Sequence, residues 1–178
     1  MSQDRAMRVA IRDDDACAFT RPDDLERVYG PFGAGLPVSV AVTPFAMESF
    51  HLGDPVRFFQ KGPPLPLSGN SEMVGYLKTG LRSGRFSVLC HGYSHEYKRH
   101  SRGGLVQECV WKDDERLARE GVLAKQHLEE VLGCQVRTFV PPGNAMRVFS
   151  RAFSPRSLCG AGGSSWSLRE HSVRWRGV

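Results

Sequence analysis

The sequence predicts a parallel α/β architecture, open or barrel-like, and two observations carry that expectation. Short apolar runs alternate with amphipathic stretches in the order strand, helix, strand, helix, strand, helix, strand. The residues best suited to chemistry then fall at or just after strand ends, at Asp13–Asp15, His91–His95 and Pro141–Asn144. In parallel α/β folds the loops after the strands converge on one face, where ligands bind.

Each element has its own signature. Met7–Arg12 reads as a first strand that stops at Asp13-Asp14-Asp15. Thr20-Arg21-Pro22-Asp23-Asp24 opens a helix, with Thr20 or Arg21 near the cap and acids in the first turn. Leu25, Val28 and Tyr29 form its apolar face, and Gly30-Pro31 stops it. Val38–Thr43 is a second strand closed by Pro44, and residues 45–69, rich in Pro, Gly and Phe, read as a long loop on the rim. Ser71–Leu81 is a second helix ending before Ser83-Gly84, and Phe86–Cys90 is a third strand that delivers His91. Residues 96–111 read as loop with short helical turns. Asp113–Leu132 has the clearest helical period, with Leu117, Val122, Leu128 and Val131 along one side and Gly133 as its cap. Gln135–Val140 is a fourth strand, ended by Pro141-Pro142.

Beyond Asn144 the pattern decays, and residues 150–178 are rich in Ser, Gly and Arg. The expected organisation is therefore one α/β domain over residues 1–149 and a disordered tail over 150–178. A chain of 178 residues suits one domain better than two. The formal charge of +5 sits in the tail: residues 145–178 hold six Arg, no Lys and one acid, leaving 18 basic and 18 acidic residues before them. That distribution argues against nucleic acid as a partner and leaves the tail as a solvated segment or an arm for an acidic partner. No run of about 18 apolar residues is present, so no membrane span is expected. The polar start lacks the apolar core of a secretory signal, and a cytoplasmic location follows as the default. The five cysteines are odd in number, scattered and without a CxxC pair, so neither a zinc ribbon nor a disulfide framework is indicated.

The chemistry rests on two constellations. His91-Gly92-Tyr93-Ser94-His95 has HxxxH spacing, but Gly92 replaces the Glu of a helical zinc-protease motif, and the segment follows a strand. Such a turn can still present both imidazoles to one ion, with a carboxylate from another strand as third ligand. Two His and one Asp with open positions describe a catalytic metal more than a structural one. The ion is expected to be divalent, Zn by preference, with Co, Ni or Fe also compatible. Adjacent carboxylates at a strand end divide the labour, one holding the ion while its neighbour acts as general base. Asp13/Asp14 and Asp14/Asp15 are both open as the working pair.

Asp14-Asp15, His91–His95 and Thr138–Asn144 together resemble the first three motifs of the polysaccharide deacetylase (NodB-like) superfamily, over about residues 7–146. The family's Thr-Phe-Asp-Asp is similar to Arg12–Asp15, which implies Asp14 as base and Asp15 as metal ligand. Its His-Ser/Thr-x-x-His motif matches His91 and His95 as further ligands, with Gly92 in place of the hydroxyl residue. The third motif matches Val140–Asn144 loosely, and implies Pro142 and Asn144 at the substrate. The resemblance implies a partial or deformed (β/α) barrel with parallel strands alternating with helices. It also implies metal-dependent removal of N- or O-acetyl groups from a carbohydrate or small acetylated substrate. Two departures accompany it. Val140 stands where the family has an Arg that orients the catalytic Asp, and Asn144 is a candidate to offer a hydrogen bond instead. Only 34 residues follow Asn144, so the motifs that supply the general acid are expected to be missing, and His171 lies too soon after the third motif. The alternative expectation is a truncated, inactive deacetylase-like protein that binds metal or glycan without turnover.

Overall fold

A computed structural model describes residues 10–147 and the strand segments 164–169 and 172–177. Its elements in chain order are β1 (Ile11–Ala16), α1 (Pro22–Tyr29), β2 (Val38–Val42), β3 (Phe45–Phe50), β4 (Phe59–Pro66), α2 (Ser71–Arg82) and β5 (Phe86–His91). There follow β6 (Tyr97–Arg99), β7 (Leu105–Gln107), α3 (Glu108–Trp111), α4 (Asp114–Leu132), β8 (Thr138–Val140), β9 (Ser164–Arg169) and β10 (Ser172–Gly177).

The main sheet has the order β1-β2-β5-β8-β10-β9. Its first four strands are parallel, as connections through helices dictate, and β10 and β9 add to it antiparallel. Among the described residues the sheet does not close, so the architecture is a partial (β/α) barrel, in line with the sequence expectation. Two small ribbons, β3-β4 and β6-β7, stand on the rim.

Burial along the helices follows the helical period. Met73 and Leu77 of α2, and Leu117, Ala124, Leu128 and Leu132 of α4, join Leu25 of α1 over Val38, Val40, Val42, Val88 and Cys90 of the central strands. Each Leu, Val or Met among them contributes about 1.5–3 kcal/mol by leaving water. Asn70 caps α2 by accepting from Met73 N, Asp113 caps α4 by accepting from Arg116 N, and left-handed Gly133 closes α4. No helix among the described residues is long and apolar enough to cross a membrane.

Four sequence expectations need correction. The acids at 13–15 lie inside β1, because pairing with β2 runs from Ile11↔Val38 to Ala16↔Val42. Residues 45–69 contain a hairpin in place of an unstructured loop. The prolines of β4 read as breakers, yet among the described residues β4 pairs with β3 alone, so its second edge needs no donors. Residues 96–111 form β6, β7 and α3. The fourth strand is shorter than 135–140, because Val136 N donates to the Glu129 carboxylate and not to the sheet. Within the segment expected to lack periodic structure, β10 pairs with β8 through Val173↔Phe139 and Arg174↔Thr138.

Candidate functional site

The three strand-end segments do meet. Asp13 pairs with Val40 and Ala16 with Val42, so three steps along β1 match two along β2. This is a bulge, and Asp15 within it has the left-handed φ of 73°. The bulge turns its carboxylate toward β5, where His91 ends the strand almost fully buried. His91 Nε2 lies 3.1 Å and His95 Nε2 3.0 Å from the same oxygen, Asp15 Oδ1. Ligand atoms of all three residues lie within 4.8 Å of one another.

The hydrogen bookkeeping of this cluster favours a cation. His91 Nδ1 lies 3.1 Å from the Val140 carbonyl, which can only accept, so Nδ1 carries the ring hydrogen. In the neutral ring Nε2 then presents a lone pair to Asp15 Oδ1, acceptor against acceptor. At any pH where the imidazole is neutral, a carboxyl such as Asp15 is ionised and can only accept. A shared cation resolves this facing of lone pairs. Ligands about 2.1 Å from a tetrahedral zinc lie about 3.4 Å apart, within a few tenths of an ångström of the contacts seen. The residues therefore fit a divalent ion.

Backbone and side chains together fix His95. Its φ is 54°, a conformation that persists only where the surroundings enforce it. The buried Glu108 carboxylate accepts from Tyr93 N at 2.8 Å, His95 N at 3.1 Å and Ser94 Oγ at 3.1 Å. Gln60 Nε2 donates to the His95 carbonyl at 2.9 Å, and Gln60 Oε1 accepts from Tyr97 N at 2.8 Å. Phe45 N and Met47 N donate to the Tyr93 and Ser94 carbonyls, tying β3 to the same turn. Beneath Glu108, fully buried Lys112 reaches Glu108 at 2.6 Å and Glu120 at 2.7 Å. Burial alone pushes Glu108 up, but Lys112 and the turn's N–H groups outweigh it and hold its pKa below the ordinary value.

The neighbouring acids are separated by face. Asp13 accepts from the Tyr29 hydroxyl, and burial together with that bond pushes the Tyr29 phenol up to about 12. Asp14 is gripped by Arg12, Nε to Oδ1 at 2.7 Å and Nη2 to Oδ2 at 2.9 Å. The same Nη2 donates to Asn144 Oδ1 at 2.9 Å. Asn144 is exposed with φ 52°, whereas Pro142 is buried beneath Gly92. Of the residues expected at the site, Asp15, His91 and His95 form one cluster, and Asp14 and Asn144 are linked through Arg12. His171 lies outside the described residues.

No protein-family model and no curated protein matches this sequence. Solved structures do match. The de-N-acetylase from Aggregatibacter actinomycetemcomitans is 13% identical, covers 86% of this chain and 61% of its own, with a TM-score of 0.58. The BpsB deacetylase domain from Bordetella bronchiseptica is 16% identical over 83% of this chain and 60% of its own, with a TM-score of 0.56. BA3943, a CE4 family pseudoenzyme from Bacillus anthracis, is 10% identical over 83% of this chain and 41% of its own, with a TM-score of 0.50. The chain has the NodB-like fold of the CE4 polysaccharide deacetylases. It spans about half the length of the solved chains it matches, between 41% and 61% of these three.

Within the NodB-like frame, Val140 and Gly92 each have a local explanation. Val140 is buried and pairs with His91 in the sheet, so an Arg side chain there would enter the core. Arg12, from the Asp-bearing strand itself, grips Asp14 instead. Gly92 has φ 67°, and a Cβ on it would lie 2.2 Å from Glu108 Oε1 and 2.6 Å from Pro142 Cγ. A hydroxyl residue is thus excluded at the position where the NodB-like motif has one. Arg12, Gln60, Glu108 and Lys112 escaped sequence reasoning. Arg12 carried a usable signal, since an Arg two residues before an Asp shares its strand face. Glu108 and Lys112 sit at helical i,i+4 spacing, but nothing in the sequence shows that the pair is buried.

Proposed function

We propose that this chain is a metal-dependent deacylase that removes N- or O-acetyl groups from a carbohydrate-like substrate. Asp15, His91 and His95 are the ligands of a divalent ion, zinc by preference, and Asp14 is the general base. The observation that carries the reading is the convergence of two imidazole Nε2 atoms on one Asp15 oxygen, at 3.1 and 3.0 Å. The likeness in fold to a de-N-acetylase supports the same reading.

When bound, the ion supplies Lewis-acid polarisation of the acyl carbonyl and acidifies the attacking water. Asp14 takes the proton from that water as it attacks. Arg12 fixes the plane of the Asp14 carboxylate through two parallel hydrogen bonds, and Asn144 fixes Arg12. Val140 holds His91 in the tautomer whose Nε2 lone pair is free to bind. Glu108 and Gln60 hold His95 from its N–H and carbonyl sides. Collapse of the tetrahedral adduct requires a proton for the leaving amine or hydroxyl, and the sequence assigns no residue to that role.

The test is hydrolysis of N-acetylglucosamine oligomers and of 4-nitrophenyl acetate by zinc-loaded protein. Asp14→Asn should lower turnover about 10²–10⁴-fold while zinc content stays the same. Equal rates in the two proteins would remove Asp14 as base. A second reading, binding without turnover, is favoured by the pseudoenzyme of the same fold. It is the outcome if zinc binds stoichiometrically and no acetylated oligomer is hydrolysed.

A further inference from the structure

Val56 at 81% and Leu52 at 74% are the most exposed large apolar side chains among the described residues. Both stand in the turn of residues 51–58 that joins β3 to β4. This turn owes its shape to polar contacts. The Arg99 guanidinium, from β6, donates to the carbonyls of Pro55, Val56 and Phe58 at 3.2, 3.0 and 2.8 Å. Asp54 Oδ1 accepts from Val56 N at 3.0 Å and from Arg57 N at 3.1 Å. Phe58 N donates to the Asp54 carbonyl, and Asp54 N to that of His51. The side chains of Leu52 and Val56 contribute nothing to this network, so the turn is ordered while its aliphatic groups stay in water. Phe59, half-exposed and stacked on Phe50 at 4.7 Å, extends the apolar surface at the foot of the turn. Single exposed apolar residues are ordinary on a protein surface, but a grouped set on an ordered turn marks an interaction site.

Charge selects the kind of partner. Residues 45–66 and 97–107, the two rim ribbons with their turns, hold Arg57, Lys61, Lys98, Arg99 and Arg102 against Glu48 and Asp54, a net charge of +3. The other residues of the span 10–147 hold 12 basic and 15 acidic side chains, a net charge of −3. A span that is neutral as a whole thus gathers its positive charge around its most exposed aliphatic groups. Interfaces between proteins centre on aromatic, Met and Arg anchors seated in pockets. Aliphatic groups on an exposed turn, flanked by Lys and Arg, suit a bilayer surface instead. There the apolar groups enter the acyl boundary and the cations meet anionic headgroups.

We propose that the β3-β4 turn docks this protein on an anionic phospholipid bilayer, with Leu52 and Val56 inserted and the cations of both ribbons at the headgroups. Docking of this kind needs no membrane-spanning helix. Leu52 also lines the cavity walled by Asp15 and His95, so docking sets the metal-site residues close to the bilayer. The inference stands independently of the deacylase reading.

The experiment is sedimentation of the full-length protein with sucrose-loaded vesicles of phosphatidylcholine, with and without phosphatidylserine. Binding should be confined to vesicles that contain phosphatidylserine and should weaken as salt is added. A cation near such a surface is worth about fivefold in affinity, so Arg57→Gln/Lys61→Gln should weaken binding about 25-fold. Leu52→Ser/Val56→Ser keeps every charge and should weaken it about tenfold or more. Both serine positions are exposed, so zinc content and the denaturant midpoint should stay at their wild-type values. No sedimentation with phosphatidylserine vesicles would overturn the inference and leave the patch to a protein partner. Equal binding to both kinds of vesicle would overturn it too. So would full binding by either double variant, because the affinity would then lie elsewhere, as in the arginine-rich residues 145–178.

Discussion

Gly92→Ser places a hydroxyl residue where the NodB-like motif carries one, and here it should be damaging. Gly92 has φ 67°, and a side chain in that region costs about 1–2 kcal/mol. The added Cβ would also lie 2.2 Å from Glu108 Oε1. That oxygen cannot swing away freely, because it accepts from Tyr93 N and His95 N, and its partner oxygen binds Lys112 Nζ at 2.6 Å. Weakening one charge-assisted bond in this cluster costs about 1.5–3 kcal/mol. The expected loss is therefore about 3–5 kcal/mol, read by urea denaturation at constant slope. Zinc affinity should fall with it, since the displaced bonds are those that seat His95. Gly75→Ala is the control: its Cβ meets nothing within 4 Å, and in a helix the change should gain about 0.5–1 kcal/mol. A Gly92→Ser protein within about 0.5 kcal/mol of wild type, with unchanged zinc affinity, would refute the account of the Glu108 cradle.

Three further outcomes follow from the same contacts. Asp13→Ala should leave zinc content unchanged in elemental analysis, because Asp13 faces Tyr29 and not the imidazoles. Arg12→Leu should cut hydrolysis by about tenfold or more without zinc loss, since a general base out of line loses part of its about 10²–10⁴-fold effect; an unchanged rate would show that Asp14 needs no anchor. Lys112→Met removes the cation between buried Glu108 and Glu120 and should cost about 3–5 kcal/mol in a denaturant titration. The pH dependence carries a definite sign. The Glu108 pKa lies below its ordinary 4.5, so its contribution is complete above that pH and is lost as acidification titrates the folded carboxyl. In Lys112→Met the donors of the 93–95 turn alone oppose the desolvation of Glu108, and acidification through the same range should become less harmful.

Much of the frame was legible because it depends on local periodicity. β2, β5, α2 and α4 fall within a residue or two of where apolar spacing, Ser83-Gly84, Asp113 and Gly133 place them. That the segments bearing Asp15, His91 and His95 meet was legible from one topological rule, that loops after parallel strands share a face, whereas the choice of Asp15 among the three acids came from the family resemblance. What escaped depended on pairing across the chain. β1 holds three consecutive acids because Tyr29 and Arg12 satisfy two of them and the bulge ejects the third, none of which periodicity reveals. The β3-β4 ribbon hid behind its prolines, and β6-β7 are too short to show a period. Glu108 and Lys112 look like an ordinary surface pair until the turn at 93–95 closes over them.

Cobalt substitution probes the Asp15, His91 and His95 cluster itself. Cobalt(II) added to the metal-free protein and to the Asp15→Ala and His95→Ala variants reports ligand number and type through its visible absorption. One cobalt per wild-type chain is expected, with intense bands of a low-coordinate nitrogen and oxygen site. Asp15→Ala and His95→Ala should each weaken or abolish binding. Stoichiometric cobalt binding with the same spectrum in all three proteins would contradict the account, because the ion would then sit elsewhere.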